Sequence, residues 1–328
     1  MKILVIGGTR FLGRTFVETA VKQGHELTLF NRGQTNPELF PDVERLKGDR
    51  DGDLAALKDR NWDVVVDTCG YVPRIVKKSV DLLVDSTEQY IFISSISVYS
   101  DFSKPGLDEK SPLGTLEDKA VEQMTNETYG PLKVLCENVV EETYPGRAAI
   151  LRCGLIVGPY DPTDRFTYWP VRIQQGGEVL APSPPHMQVQ FIDAADLAHF
   201  ILLLAKKRIS GKFNTTGPAE KISMQEFLDT CNSVAGNKAS LTWVSEELIT
   251  SKDIGHIPVW TPREWRGIFQ ANCTKAINAG LLFRPLEQTI KNTLKWHDMR
   301  PSDYELKVGL KRDKEKELLE KWRAVSQK

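Results

Sequence analysis

The 328-residue chain has no apolar run long enough to span a bilayer, which argues against a membrane-spanning protein. It has almost no net charge: 43 Lys and Arg stand against 44 Asp and Glu, a formal balance of −1. Bulk attraction to nucleic acid or to an acidic membrane surface is therefore not expected. Cysteine is scarce. Cys69, Cys136, Cys153, Cys231 and Cys273 are odd in number, scattered and without a Cys-x-x-Cys pair, so they read as reduced thiols of a cytoplasmic protein. The five histidines are equally scattered, and no metal site is expected. Internal repeats and low-complexity tracts are missing. Met1-Lys2 leads straight into apolar sequence, which leaves no room for a secretory leader.

What is present is a strand followed by a glycine turn. Lys2-Ile3-Leu4-Val5-Ile6 fits a strand buried on both faces. Gly7-Gly8-Thr9-Arg10-Phe11-Leu12-Gly13 follows, then a helical stretch from Arg14 to Gln23 and a second strand from His25 to Phe30. Glycines there let the backbone approach a pyrophosphate, and the helix N-terminus faces the anion. Further strands are expected at Trp62–Asp67, Gln89–Ser94 and Ala148–Arg152, with helices at Val72–Val84, Leu116–Thr143 and Ala194–Lys206. Such alternation predicts an α/β, doubly wound parallel sheet of the Rossmann type with a smaller C-terminal substrate lobe. Residues 1–154 form the NAD(P)-binding domain, with 189–207 returning to it. Residues 155–188 and 208–300 form the lobe, and 301–328 include a charged helix over Asp303–Ser326 anchored by Leu306, Leu310, Leu318, Leu319 and Trp322. Ser100–Gly114 and Gly158–Pro170 read as loops at the ligand-binding ends of strands, and Ser223 with Glu226 as a helix capping box.

Tyr129-Gly130-Pro131-Leu132-Lys133 puts a tyrosine and a lysine four apart, on one helix face. An ammonium nearby favours the phenolate and makes the tyrosine a usable proton shuttle. Pro131 fits only near a helix start, since it lacks the backbone donor. The motif follows Ser94-Ser95-Ile96-Ser97-Val98-Tyr99, whose hydroxyls can bond a substrate oxygen.

Together these segments resemble the short-chain dehydrogenase/reductase superfamily, in its extended and atypical, NAD-dependent epimerase/dehydratase-like branch. Leu151-Arg152 through Val157-Gly158-Pro159 and Phe191-Ile192-Asp193-Ala194-Ala195-Asp196-Leu197-Ala198 add to the resemblance, which runs from Lys2 to about Trp296. It implies that Ser95, Tyr129 and Lys133 are catalytic, with Lys133 also on the nicotinamide ribose. It further implies that Gly7, Gly8 and Gly13, with Thr9, Arg10, Phe11 and Leu12 between them, form the pyrophosphate turn. Asp49-Arg50 match the adenine loop, and Cys69-Gly70 the strand end under the cofactor. The implied activity is NAD(P)-dependent oxidoreduction or epimerisation of a small or sugar-like substrate. Alternatives are a nucleotide-sugar epimerase/dehydratase proper, or a non-catalytic NAD(P)-binding or RNA-binding protein on the same fold. The opening turn also resembles that of the chloroplast stem-loop RNA-binding proteins.

The departures from the pattern carry their own expectations. Arg10 replaces the middle glycine of the turn, and Asn31-Arg32 stand where NAD users carry an acid. An arginine fork beside a missing acid favours a 2′-phosphate, so NADP(H) is the expected cofactor and NAD the second choice. Leu155 and Val189 stand at the usual polar anchors for a nucleotide sugar, so UDP- and dTDP-sugars are expected to bind poorly. Arg165, Arg172 and Arg263 are candidate substitutes, and Ser97 is a further substrate candidate. The resemblance also implies a homodimer formed by the Val72–Val84 and Leu116–Thr143 helices.

Overall fold

The computed structural model describes residues 1–250 and 256–326. Seven parallel strands make the central sheet. Six are β1 (Lys2–Ile6), β2 (Glu26–Asn31), β3 (Glu44–Lys47), β4 (Trp62–Asp67), β5 (Thr87–Ser95) and β6 (Ala148–Cys153). They run in the order β3-β2-β1-β4-β5-β6, and the strand Gly211–Thr215 completes the β6 edge. The order reverses at β1, so the cleft between β1 and β4 is the topological switch point.

The period of two survives inside strands that are apolar throughout. Ile3 and Val5 enter the core under helices α1 (Phe11–Lys22) and α5 (Ala194–Lys207), whereas Leu4 and Ile6 enter the opposite core. That opposite core is covered by α2 (Pro73–Leu83) and α3 (Tyr129–Thr143), through Val76, Val80, Cys136 and Val140. Each such side chain taken from water contributes about 1.5–3 kcal/mol. A third layer of apolar residues forms the lobe, around Phe166, Trp169, Phe191 and Phe227. It is built from α4 (Tyr168–Gln174), α6 (Met224–Val234), the helix Leu286–His297 and a parallel pair, Gly177–Pro182 with Ala239–Val244. Ser223 and Glu226 form the reciprocal capping box at the start of α6.

Four expectations need correction. The helix expected from Leu116 begins only at Tyr129. Residues 117–127 are polar and largely exposed, and a helix running through Pro131 would lose a donor at a cost of about 3 kcal/mol. The helix expected from Asp303 begins at Arg312. Upstream of it, the Lys307 backbone N–H donates to the Asp164 carboxylate instead of to a carbonyl one turn back. The Gly158–Pro170 loop already contains the start of α4. Finally, Gly211–Thr215, assigned above to the lobe, is a strand of the main sheet. Its sequence is Gly-Lys-Phe-Asn-Thr, with Phe213 alone contributing an apolar side chain to the core.

Arg172 is another correction. It is buried at the back of the lobe, where Nε donates to Glu315 Oε2 (2.7 Å) and Nη1 and Nη2 donate to the Gly176 and Glu178 carbonyls. Glu315 also accepts from the Leu180 N–H, so this pair docks the C-terminal helix Arg312–Ser326 on the lobe. Removing one partner strands a buried charge. Glu315→Ala should therefore lower unfolding stability by about 3–5 kcal/mol in urea denaturation, and Glu315→Gln, which keeps an acceptor, by less.

Candidate active site

The β1–α1 turn is built for close approach. Gly7 and Gly8 sit at φ +105° and +92°, which side chains with a Cβ rarely adopt. The turn is held from behind: Asn31 Nδ2 donates to the Gly7 carbonyl (2.9 Å) and Asn36 Nδ2 to that of Thr9 (2.7 Å). Arg10 is the N-cap residue of α1, and no side chain caps the helix's first amides. Those donors open on a cavity of about 1100 Å3 running from Thr9, Phe11, Leu12, Arg32 and Asp49 to Ser95, Ser97, Tyr129 and Lys133. A backbone cradle, an uncapped helix N-terminus and a cleft at the switch point fit a dinucleotide.

Arg50 stands next to Asp49 in sequence but does something else. It is buried, and its guanidinium grips Asp67 at the end of β4 through two bonds, 2.8 and 2.5 Å. Ser79 Oγ of α2 accepts from Arg50, and the Tyr90 hydroxyl of β5 donates to Asp67 (2.8 Å). Burial works against the Arg50 charge, but Asp67 more than restores it and the guanidinium stays protonated. Burial also drives the Tyr90 hydroxyl far above its usual pKa, so it remains a donor. Asp67 in turn accepts from the Cys69 N–H (3.1 Å) and so shapes the Cys69-Gly70 strand end. Cys69 faces the cavity, with its thiol pushed up to about 11 by desolvation.

The Gly70 carbonyl accepts from Lys133 Nζ (2.7 Å), and the Ile93 carbonyl accepts from it as well (2.6 Å). Lys133 is 3% exposed, and burial lowers its pKa. Gly130 allows α3 to close on the Ser97 carbonyl, which a Cβ would strike. That approach brings Tyr129 beside Ser95, whose hydroxyl acts to lower the pKa of the phenol. Ser95 Oγ also donates to Ser97 Oγ (3.0 Å). Burial raises the Tyr129 pKa, while Ser95 and the charge of Arg165 act to lower it. Lys133 Nζ is turned to the two carbonyls, and the charge of Arg165 acts on the Tyr129 phenol.

On the far side of β5 a second buried pair holds the same helix. Ser94 Oγ donates to Glu137 (2.6 Å), one turn beyond Lys133, and Arg152 Nη2 donates to Glu137 (2.7 Å). Both charged groups are 1% exposed or less.

Of the proposed substrate residues, Ser97, Leu155 and Arg165 line the cavity. Val189 does not. It is buried in a two-residue strand against Ile222–Ser223. Arg172 is tied to Glu315 as described, and Arg263 lies outside the walls. Sequence reasoning missed Asp67, Ser79 and Tyr90, and also missed Tyr71, His256, Val259, Trp260, Ile268 and Phe269 in the walls. An acid directly after three valines, Asp67 after Val64-Val65-Val66 at the end of β4, was the available signal for the first of these.

Comparison with known proteins agrees with this geometry. A model of the NAD dependent epimerase/dehydratase family matches residues 3–215. Chloroplast stem-loop binding protein of 41 kDa b from Arabidopsis thaliana is 35% identical over 236 residues, covering 66% of this chain and 58% of that protein's length. Two solved structures share the fold. UDP-N-acetylglucosamine 4-epimerase from Bacillus cereus superposes with a TM-score of 0.65 at 18% identity, covering 90% of this chain and 99% of that one. UDP-glucuronic acid 4-epimerase from Bacillus cereus, in complex with NAD, superposes with a TM-score of 0.64 at 17% identity, covering 90% and 96%.

The Arg50–Asp67 pair can be tested directly. Asp67→Ala leaves the Arg50 charge buried and the Cys69 N–H without its acceptor. We expect a loss of about 3–5 kcal/mol in chemical denaturation. Dinucleotide affinity, read by protein fluorescence quenching, should fall alongside it.

Proposed function

We propose that this chain, which belongs to the NAD dependent epimerase/dehydratase family, catalyses hydride transfer at a carbonyl or alcohol carbon of a small substrate. One observation carries the reading: Ser95, Tyr129 and Lys133 meet along the cavity that begins at the glycine turn. A nicotinamide dinucleotide bound there supplies or accepts the hydride. The turn, the first amides of α1 and Asp49 would hold it, with Lys133 on the ribose. Ser95 orients the substrate oxygen. Tyr129 moves the proton: in reduction its hydroxyl donates to the oxygen as the carbon gains hydride, and in oxidation its phenolate takes the hydroxyl proton as the C–H bond breaks. Epimerisation would run the two directions in turn on one carbon. Burial keeps Tyr129 protonated at neutral pH, which suits the reductive direction, and Ser95 and Arg165 pull the other way.

NADP(H) is the preferred dinucleotide in this reading. Arg10 and Arg32 both line the cavity, both are exposed, and neither forms an ion pair among the described residues. Asn31 beside them is uncharged and bonds the turn, so no acid stands at the end of β2 to repel a 2′-phosphate. A cytoplasmic homodimer completes the proposal. Five free cysteines support the compartment, and α2 packed along α3 offers a two-helix face to a second copy. The exposed side of α2 carries Arg74, Lys77 and Asp81, which would make that contact polar.

A second reading, RNA binding, is favoured by the 35% identical relative, a chloroplast stem-loop binding protein. The formal charge of −1 gives it no electrostatic support.

Tyr129→Phe should abolish dinucleotide-coupled turnover while leaving dinucleotide affinity nearly unchanged, because only the proton path is removed. Full turnover in that variant, or salt-dependent RNA binding by a chain that never oxidises or reduces a dinucleotide, would overturn the enzymatic reading. For the cofactor, the native chain should bind NADPH about ten-fold or more tightly than NADH, since charge-assisted hydrogen bonds are worth roughly 1.5–3 kcal/mol each. The double substitution Arg10→Gly with Arg32→Ala should erase that preference in titration calorimetry.

A further inference from the structure

Among the described residues, Lys and Arg line the cavity at five positions, and four of them are accounted for. Arg10 and Arg32 flank the glycine turn, Arg50 is locked to Asp67, and Lys133 serves two backbone carbonyls. The fifth is Arg165. It forms no ion pair with any carboxylate among the described residues, and its Nε donates to Thr163 Oγ1 (3.2 Å). From Leu155 onward the described residues that line the cavity are mainly apolar, with Leu155, Ile156, Pro162, Val259, Trp260, Ile268 and Phe269 beside the polar Thr163, His256 and Thr261. The Trp260 indole N–H is already bonded to the Ser183 carbonyl, so its ring adds only apolar surface.

The loop that presents Arg165 is built with unusual care. Asp164, the residue before it, is fully buried at φ +58°, a conformation that disfavours a non-glycine residue. Its carboxylate is held by Arg300 Nη1 (2.7 Å), the Tyr304 hydroxyl (2.8 Å) and the Lys307 N–H (3.2 Å). On the other side, Thr163 donates through N and Oγ1 to Asp161 (2.8 and 2.7 Å), which is also fully buried. Three groups from the C-terminal segment and one buried aspartate thus fix the backbone on both sides of Thr163.

We propose that Arg165 anchors a carboxylate of the substrate, and that the substrate is a small hydroxy or keto acid with an apolar body. The inference rests on the hydride-transfer reading above and adds the substrate class. A planar guanidinium pairs with a carboxylate through two parallel bonds. The positions that hold the polar anchors for a nucleotide sugar in the family are Leu155 and the buried Val189 here, so neither offers a charge to a diphosphate. His256, the other basic side chain there, has its pKa lowered by burial and then by Arg165, so Arg165 is the cation at neutral pH. The charge that acts on the Tyr129 phenol would then be partly neutralised when the acid binds, which leaves Tyr129 the stronger proton holder with substrate in place.

The test uses the full chain and a matched pair of probes, hydrocinnamate and hydrocinnamamide, with UDP as a third. Dinucleotide binding is measured first by fluorescence. Its failure counts against the hydride-transfer reading, and the probe comparison is then run on the chain alone. We expect the acid to bind about ten-fold or more tightly than the amide by calorimetry. Arg165→Gln should erase that difference without changing dinucleotide or amide affinity, and Arg165→Lys should keep part of it. The proposal is overturned if acid and amide bind equally, neither binding included, or if Arg165→Gln retains the preference. UDP binding more tightly than the acid and unaffected by Arg165→Gln would overturn it too.

Discussion

Asp67 closes β4 with a negative charge inside the protein, and the cofactor side of the sheet is arranged around that charge. Left alone, a carboxylate at 0% exposure would be very costly. Arg50 satisfies both oxygens, Tyr90 adds a donor, and Ser79 accepts from the guanidinium. One residue comes from the loop after β3, one from β4, one from β5 and one from α2. The geometry of the pair therefore fixes four elements at the switch point relative to each other. A wholly apolar replacement could fill the same volume, but would not orient the Cys69 N–H or the strand end behind it. The Gly70 carbonyl is placed by that strand end, and Lys133 is placed by the Gly70 carbonyl.

The group of Ser95, Tyr129 and Lys133 is held from two sides in this way. Toward β4 it depends on Arg50 and Asp67. Toward β6 it depends on Glu137 and Arg152, with Arg152 also bonded to the Tyr99 hydroxyl and the Glu109 carbonyl. Asn214, on the edge strand, accepts from the same tyrosine. Two buried ion pairs flank β5, and Ser95, Tyr129 and Lys133 lie between them. Buried pairs of this type add little net stability over an apolar core, yet each is strongly destabilising when halved. Their effect here is geometric: they specify where α3 sits against the end of β5, which is the separation a proton shuttle depends on.

The sheet and its glycine turn were legible because their signals are local. An apolar run, a glycine pair and a following helix can be read within thirty residues; the Tyr129–Lys133 spacing is equally local, whereas Ser95 is singled out by the family resemblance. What was not legible depends on contacts far along the chain. Arg50 looks like a loop residue until it meets Asp67, 17 positions on, and Tyr90, 40 positions on. Arg172 looks like a substrate-lobe cation until it meets Glu315, 143 positions on. The edge strand Gly211–Thr215 carries one apolar core residue and pairs on one side only, so periodicity cannot announce it. The start of α3 was misplaced even though Pro131 pointed to it, because a polar stretch of Glu and Lys is compatible with an exposed helix when read alone.

The C-terminal segment then has a physical reason to be where it is. A buried residue at positive φ, such as Asp164, is stable only if its surroundings over-determine it. Residues 300–307 supply that determination with a guanidinium, a phenol and a backbone amide, and the Arg300 guanidinium is itself stacked 3.6 Å over the Trp296 ring. Beyond them, Glu315 ties the final helix to Arg172 of α4, the helix that follows directly from the same loop. The loop between Asp161 and Arg165 is therefore gripped at its own carboxylates and at the helix it runs into. A charged terminal segment that reads in isolation as an amphipathic helix with apolar anchors is, in the folded chain, also the brace for the loop that carries Arg165.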